Sequence, residues 1–157
     1  MQVFWKTILI VCLVGVSIQF IQLERSNPPV NPSQTIHAVQ HPDPSASAAL
    51  ARSCNDCHSN LTVWPWYSRI APVSWLVVSD VRKGRADLNF SEWGAYPADK
   101  QKRMLAEICK QVSEKEMPES TYIWMHPEAK LSDADIHSIC TWTQSLNPSP
   151  QQSAAQE

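Results

Sequence analysis

An all-α fold is what this sequence predicts, and three observations carry the expectation. Only three glycines occur in 157 residues, so the chain is poor in the residue that most often punctuates sheets. The central hundred residues, from about 47 to 146, place apolar side chains at spacings of three and four without strand-like alternation. Serine, proline and glycine stand where helix ends would need them.

Taken in order, the first element is apolar. Thr7 to Leu23 reads T-I-L-I-V-C-L-V-G-V-S-I-Q-F-I-Q-L, with Lys6 before it and Glu24 and Arg25 after it. At roughly 17 to 20 residues this is just long enough to span a bilayer. No small-x-small cleavage site follows it, and Leu9-Ile10-Val11-Cys12 is a poor lipidation signal because Val11 is too large. Residues 1–25 are therefore expected to form an uncleaved signal anchor with its amino end in the cytoplasm. Residues 26–46 carry five prolines and no apolar period, which predicts a partly extended linker. Residues 147–157, rich in Gln, Ser, Ala and Pro, read as a disordered tail. The segment between, 47–146, is one small domain by length. A net charge of −2 gives no basis for a nucleic-acid partner.

Within that domain a first helix is expected through Ser47-Ala48-Ala49-Leu50-Ala51-Arg52, with a serine as N-cap. A second should start near Pro72 and stop at Gly84. After Pro97 a longer one would bury Met104, Leu105, Ile108, Cys109 and Val112. The last begins at Ser132, whose Asp135 three residues on makes a capping-box pattern, and buries Ile136, Ile139, Cys140 and Thr143 or Leu146.

Between the first two helices lies Cys54-Asn55-Asp56-Cys57-His58. Two thiols three apart followed at once by an imidazole is the arrangement that attaches c-type haem: both thiols add to vinyl groups and the histidine becomes the proximal iron ligand. A zinc site would want a second close cysteine pair, whereas Cys109 and Cys140 stand singly. A thioredoxin-like redox pair would want a βαβ setting, which the flanks do not offer.

Such a domain is small for a self-sufficient core, and a covalently held haem would add a large apolar centre. Seven tryptophans occur in the chain, six of them in the folded segment. Trp64, Trp66, Tyr67, Trp75, Trp93, Trp124 and Trp142 can wall a flat macrocycle, and Trp64 and Trp66 are taken as the cofactor-binding candidates. Arg69, Arg82 and Arg85 are candidates to pair with the propionates. Asn60-Leu61-Thr62 also fits a glycosylation acceptor pattern, which carries little weight here.

With the haem pair and Cys12 set aside, Cys109 and Cys140 remain, both on apolar helix faces, and in an oxidising compartment they should form a disulfide. By chain entropy that bridge is worth roughly 3 to 4 kcal/mol. Candidates for the sixth iron ligand are Met104, Met117, Met125, His126 and His137. Met117 is favoured because Lys115-Glu116-Met117-Pro118 lies past a helix end, at a distance from His58 similar to that in small single-haem cytochromes c. His126, or an open position, is the alternative.

Several runs carry a more specific likeness: S-C-N-D-C-H-S-N-L-T-V-W-P-W-Y-S-R-I-A-P-V-S-W-L, V-R-K-G-R-A-D-L-N-F-S-E-W, E-I-C-K-Q-V, K-E-M-P and H-P-E-A-K-L-S. From about Ala49 to Leu146 the chain resembles the bacterial haem-binding domain family with a single C-x-x-C-H, found alone or fused to cytochrome c modules. The resemblance implies a periplasm-facing haem protein of cytochrome c type, with Cys54, Cys57 and His58 on one covalent haem c; together with the signal anchor this places the chain in the bacterial inner membrane. A small cytochrome c-like helical domain behind a transmembrane helix is thus expected, acting as a one-electron carrier toward a redox protein in the cell envelope. The rivals are a peroxidase-like haem enzyme with His126 as its acid/base, and a haem-based gas-sensing or binding module.

Overall fold

The computed structural model describes residues 1–147, and among them every regular element is helical. The expected tail, 147–157, lies outside the described residues except for Asn147. Helix α1 (Gln2–Ser17) continues through a 3-10 turn at Ile18–Phe20 into one apolar run of 19 residues, none of it buried. By length and composition this run is able to cross a membrane.

Residues 26–46 are more structured than a linker. Asn31 caps a 3-10 turn at Pro32–Gln34, and Thr35 caps α2 (Ile36–Gln40), whose Ile36 is fully buried in the main core. Asp43 then accepts hydrogen bonds from Ser45 and Ala46 to start α3 (Pro44–Ser53), earlier than the serine N-cap expected from sequence. Proline explains both differences. Pro32 and Pro44 occupy first-turn positions, where the missing N–H costs nothing and the fixed φ favours a helix.

The core is where α3, α6 (Ala98–Ser113) and α8 (Asp133–Leu146) meet. Leu105, Ile108 and Val112 recur on one face of α6 and pack with Leu50 of α3 and Ile139 and Trp142 of α8. Each such fully buried side chain contributes roughly 1.5–3 kcal/mol. Trp93 and Trp142 belong to this core and so are structural tryptophans. Ser132 and Asp135 form the expected capping box, and Asp135 also pairs with Arg52 at 3.0 Å, tying α8 to α3. The sulfur atoms of Cys109 and Cys140 are bonded, closing α6 onto α8.

On the other side of the motif, α5 runs Val73–Asp87, past the glycine at which it was expected to stop. The chain leaving α1 is bound to the loop that leads into α5. The Gln19 side chain pairs with both the N–H and the C=O of Ala71, at 3.0 Å each. Arg25 donates to the Ser68 carbonyl, and the Trp75 indole donates to the Ile21 carbonyl.

Candidate functional site

The Cys54-x-x-Cys57-His58 stretch folds as a single helical turn, α4 (Asn55–His58), set off from α3 by the non-helical backbone of Cys54. The amides of Cys57 and His58 both donate to the Cys54 carbonyl, at 3.2 and 2.9 Å. Offsets of three and four residues bring the two thiols and the imidazole to one side of that turn. The two thiols are free, not joined to each other. Burial is the largest cause that pushes the Cys54 thiol up to about 12 and the Cys57 thiol up to about 11, with nearby carboxylates, Asp56 foremost, adding to the second. Thiols so strongly protonated are unlike the low-pKa pair of a dithiol oxidoreductase. Among the described residues, no three His, Cys, Asp or Glu side chains converge as a metal cage.

The imidazole of His58 is oriented by α5. Its Nδ1 lies 3.0 Å from the Gly84 carbonyl and 3.1 Å from that of Leu88. Carbonyls only accept, so Nδ1 carries the proton and Nε2 keeps its lone pair in the neutral ring. Phe90 packs beside the ring at 6.1 Å between centroids. Gly84 is needed here, since a Cβ on it would stand 2.6 Å from the Cys57 carbonyl oxygen. Read as a helix stop from sequence, this glycine instead sits inside α5 because α4 presses against it.

Asp56, between the cysteines, holds the surroundings together. One carboxylate oxygen accepts from the Val63 amide at 2.9 Å and the other from the Tyr122 hydroxyl at 2.8 Å. The second bond docks α7 (Ser120–Met125) on the motif, and burial together with Asp56 raises the Tyr122 phenol. Beyond Tyr122 lies a further chain of polar groups. His126 stacks on Tyr122 at 4.5 Å, bonds the Tyr67 hydroxyl through Nε2 at 2.7 Å, and meets Glu128 through Nδ1 at 3.1 Å. No sequence pattern pointed to Asp56 or Tyr122; a glycine interior to a helical segment was the one signal available for Gly84.

The other expected site residues divide. Trp64 is half-buried and donates through Nε1 to Asn27, whereas Trp66 is exposed and meets Tyr67 edge to face. Arg69 is exposed. The Arg85 guanidinium donates to the Ser59 and Ser26 carbonyls, Asn27 and Thr62, all at 2.8 Å. Those bonds strap residues 26–27 and 59–62 to α5. Asn60 is buried and bonded to Asn89, which removes it as a glycosylation acceptor. Met117 is half-buried and follows the turn that ends α6. It lines a depression of about 420 Å³ with Val112, Pro118, Ile123, Leu131 and Ile136, and none of Cys54, Cys57 and His58 lines that depression.

The site thus offers two neutral thiols on one turn, an imidazole whose free nitrogen is fixed in direction, and apolar and aromatic side chains around them. That donor set fits a haem held by two thioethers and one axial nitrogen. In comparison with known proteins, the family described as a haem-binding domain matches residues 13–145. Neither a curated protein nor a solved structure matches this chain.

Proposed function

This chain belongs to the haem-binding domain family and binds haem, and we propose that it holds one haem c covalently and serves as a membrane-anchored, periplasmic one-electron carrier. The observation that carries the proposal is the Cys54-to-His58 turn with His58 Nδ1 bonded to two backbone carbonyls. Cys54 and Cys57 would hold the group by addition of each thiol S–H across one vinyl C=C, a step that would consume no oxidant. When bound, the haem supplies an iron that passes between ferrous and ferric states.

The residues of this chain do the rest. Cys54 and Cys57 would fix the macrocycle's position, and the Gly84 and Leu88 carbonyls hold the His58 ring against rotation while making Nε2 a better donor. Asp56 keeps α7 and the Val63 amide in place through its two carboxylate oxygens. Met117 would supply the sixth ligand in this reading. It is a soft donor on a loop next to α7, while both nitrogens of its competitor His126 are engaged by Tyr67 and Glu128. The Gln2–Phe20 run, with its amino end in the cytoplasm of a bacterium, would anchor the domain on the periplasmic face of the inner membrane, where the disulfide is at home. A redox protein of the cell envelope would be the partner.

Acid-acetone extraction of the purified protein tests the attachment. Colour should stay with the protein; a colourless pellet with haem in the organic phase overturns it. One observation favours a second reading, a peroxidase-like enzyme: Tyr67, His126 and Glu128 form a hydroxyl–imidazole–carboxylate chain beside the motif. Turnover of hydrogen peroxide that is lost in His126→Ala would place the protein there.

A further inference from the structure

The junction between the apolar helix and the domain carries an inference about how the domain stands. It rests on the reading that Gln2–Phe20 crosses a bilayer. At about 1.5 Å per residue, the 19-residue run is about 28 Å long, close to the roughly 30 Å hydrocarbon core. Gln19 and Phe20 then lie at its far boundary. Gln19 pairs with both backbone groups of Ala71, and the Ile21 carbonyl accepts from Trp75, so the loop at residues 70–72 and the start of α5 share that depth. Arg25 bound to Ser68, and Asn27 bound to Thr62 and Trp64, continue the attachment. From residue 19 to residue 27 the chain has no free tether.

At this level the surface is apolar. Ile70, Val73 and Leu76 are 46%, 45% and 58% exposed, although buried positions stand beside them at Ala71, Ser74 and Val78. Val73 and Leu76 are three apart on α5 and share one face. Exposed Arg69 adjoins Ile70 and suits a phosphate headgroup. The haem motif meets the other end of α5. Gly84, which orients His58, is about 16 Å along the helix axis from Val73. Leu76 is about 12 Å from Gly84 on the same measure, so haem cover is the competing occupant that the test must separate, and continuity with the spanning run selects lipid.

We infer that Ile70, Val73 and Leu76 form a membrane footprint: their side chains enter the headgroup–acyl boundary of the same bilayer that Gln2–Phe20 crosses. The domain is then seated on the membrane at a fixed orientation, and a redox partner must reach the haem from the side or from above, not across a swinging linker.

Spin labels on the full haem-loaded chain test this in nanodiscs of phosphatidylethanolamine and phosphatidylglycerol. In a Cys12→Ser background, labels are placed by Val73→Cys, Leu76→Cys, Val11→Cys within the span and Lys102→Cys on exposed α6. Relaxation by oxygen, which partitions into lipid, is compared with relaxation by a water-soluble nickel chelate. The labels at 73 and 76 should prefer oxygen several-fold more than the label at 102. If the label at 11 is in lipid while those at 73 and 76 match that at 102, the footprint is overturned and the anchor stands. Water-like behaviour at 11 as well removes the anchor, and the footprint with it. Relaxation at 73 and 76 that is dominated by the ferric haem would assign this face to the cofactor and overturn the footprint.

Discussion

His58 and Gly84 hold each other in place: the imidazole Nδ1 lies 3.0 Å from the glycine's carbonyl oxygen, and the absence of a side chain on that glycine lets the turn bearing His58 approach. Alanine in a helix interior is ordinarily worth up to about 1 kcal/mol more than glycine. Here the sign should reverse, because the new Cβ would meet the Cys57 carbonyl oxygen at 2.6 Å, and backbone cannot move aside as a flexible side chain can. Gly84→Ala should therefore lose about 1–3 kcal/mol of stability and bind less haem per chain. Thermal melts and the pyridine haemochrome absorbance measure the two effects. A more stable variant with full haem content would show that α4 and α5 do not press together as described.

The bridge between Cys109 and Cys140 links α6 to α8 over a separation of 31 residues. Unreduced peptides should give one cross-linked mass, and reduction should cost roughly 3 to 4 kcal/mol by chain entropy. Recovery of both cysteines alkylated without reductant would mean that they are free thiols.

The helices legible in the sequence were those whose own residues define them. Ser132 with Asp135 marks the start of α8, and the spacing of Leu105, Ile108 and Val112 marks the buried face of α6. What was not legible depends on distant partners. Gly84 looked like a terminator because its reason for being glycine lies 27 positions earlier, at Cys57. The strap made by Arg85 was not legible because its acceptors, Ser26, Asn27, Ser59 and Thr62, come from two remote segments. The prolines of residues 26–46 suggested extension, whereas Asn31, Thr35 and Asp43 make them helix starts and bury Ile36. At the candidate site, the motif gave Cys54, Cys57 and His58 directly, but the clasp of Asp56 on Tyr122 joins residues too far apart for any local pattern.

Asp135 should contribute to an acid limb of stability. Hydrogen bonds from Ser132 first, then Arg52, hold its carboxyl below the usual carboxylate range despite partial burial. A folded pKa below the unfolded one gives stability that is present above the unfolded value, about 3.9, and is lost as pH falls through the folded value. Asp135→Asn should thus cost about 1 kcal/mol at neutral pH and progressively less as pH falls below about 4. Urea melts of both proteins at neutral pH and at low pH check it. An equal cost at both would assign the effect to side-chain shape in place of charge.

Met117→Ala should turn a closed iron into an open one. A thioether bound to the sixth position excludes small molecules and raises the reduction potential, so its removal should lower the potential and admit cyanide or carbon monoxide. The ferric protein should also lose the weak far-red band that sulfur ligation gives. The same measurements on His126→Ala separate the candidates. That imidazole is bonded to Tyr67 at 2.7 Å and to Glu128 at 3.1 Å, and to reach iron it would have to leave one of them. If His126→Ala opens the iron and Met117→Ala does not, the nitrogen is the ligand. If the unaltered protein lacks the far-red band and binds cyanide as readily as Met117→Ala, the sixth position is open and the enzyme reading replaces the carrier.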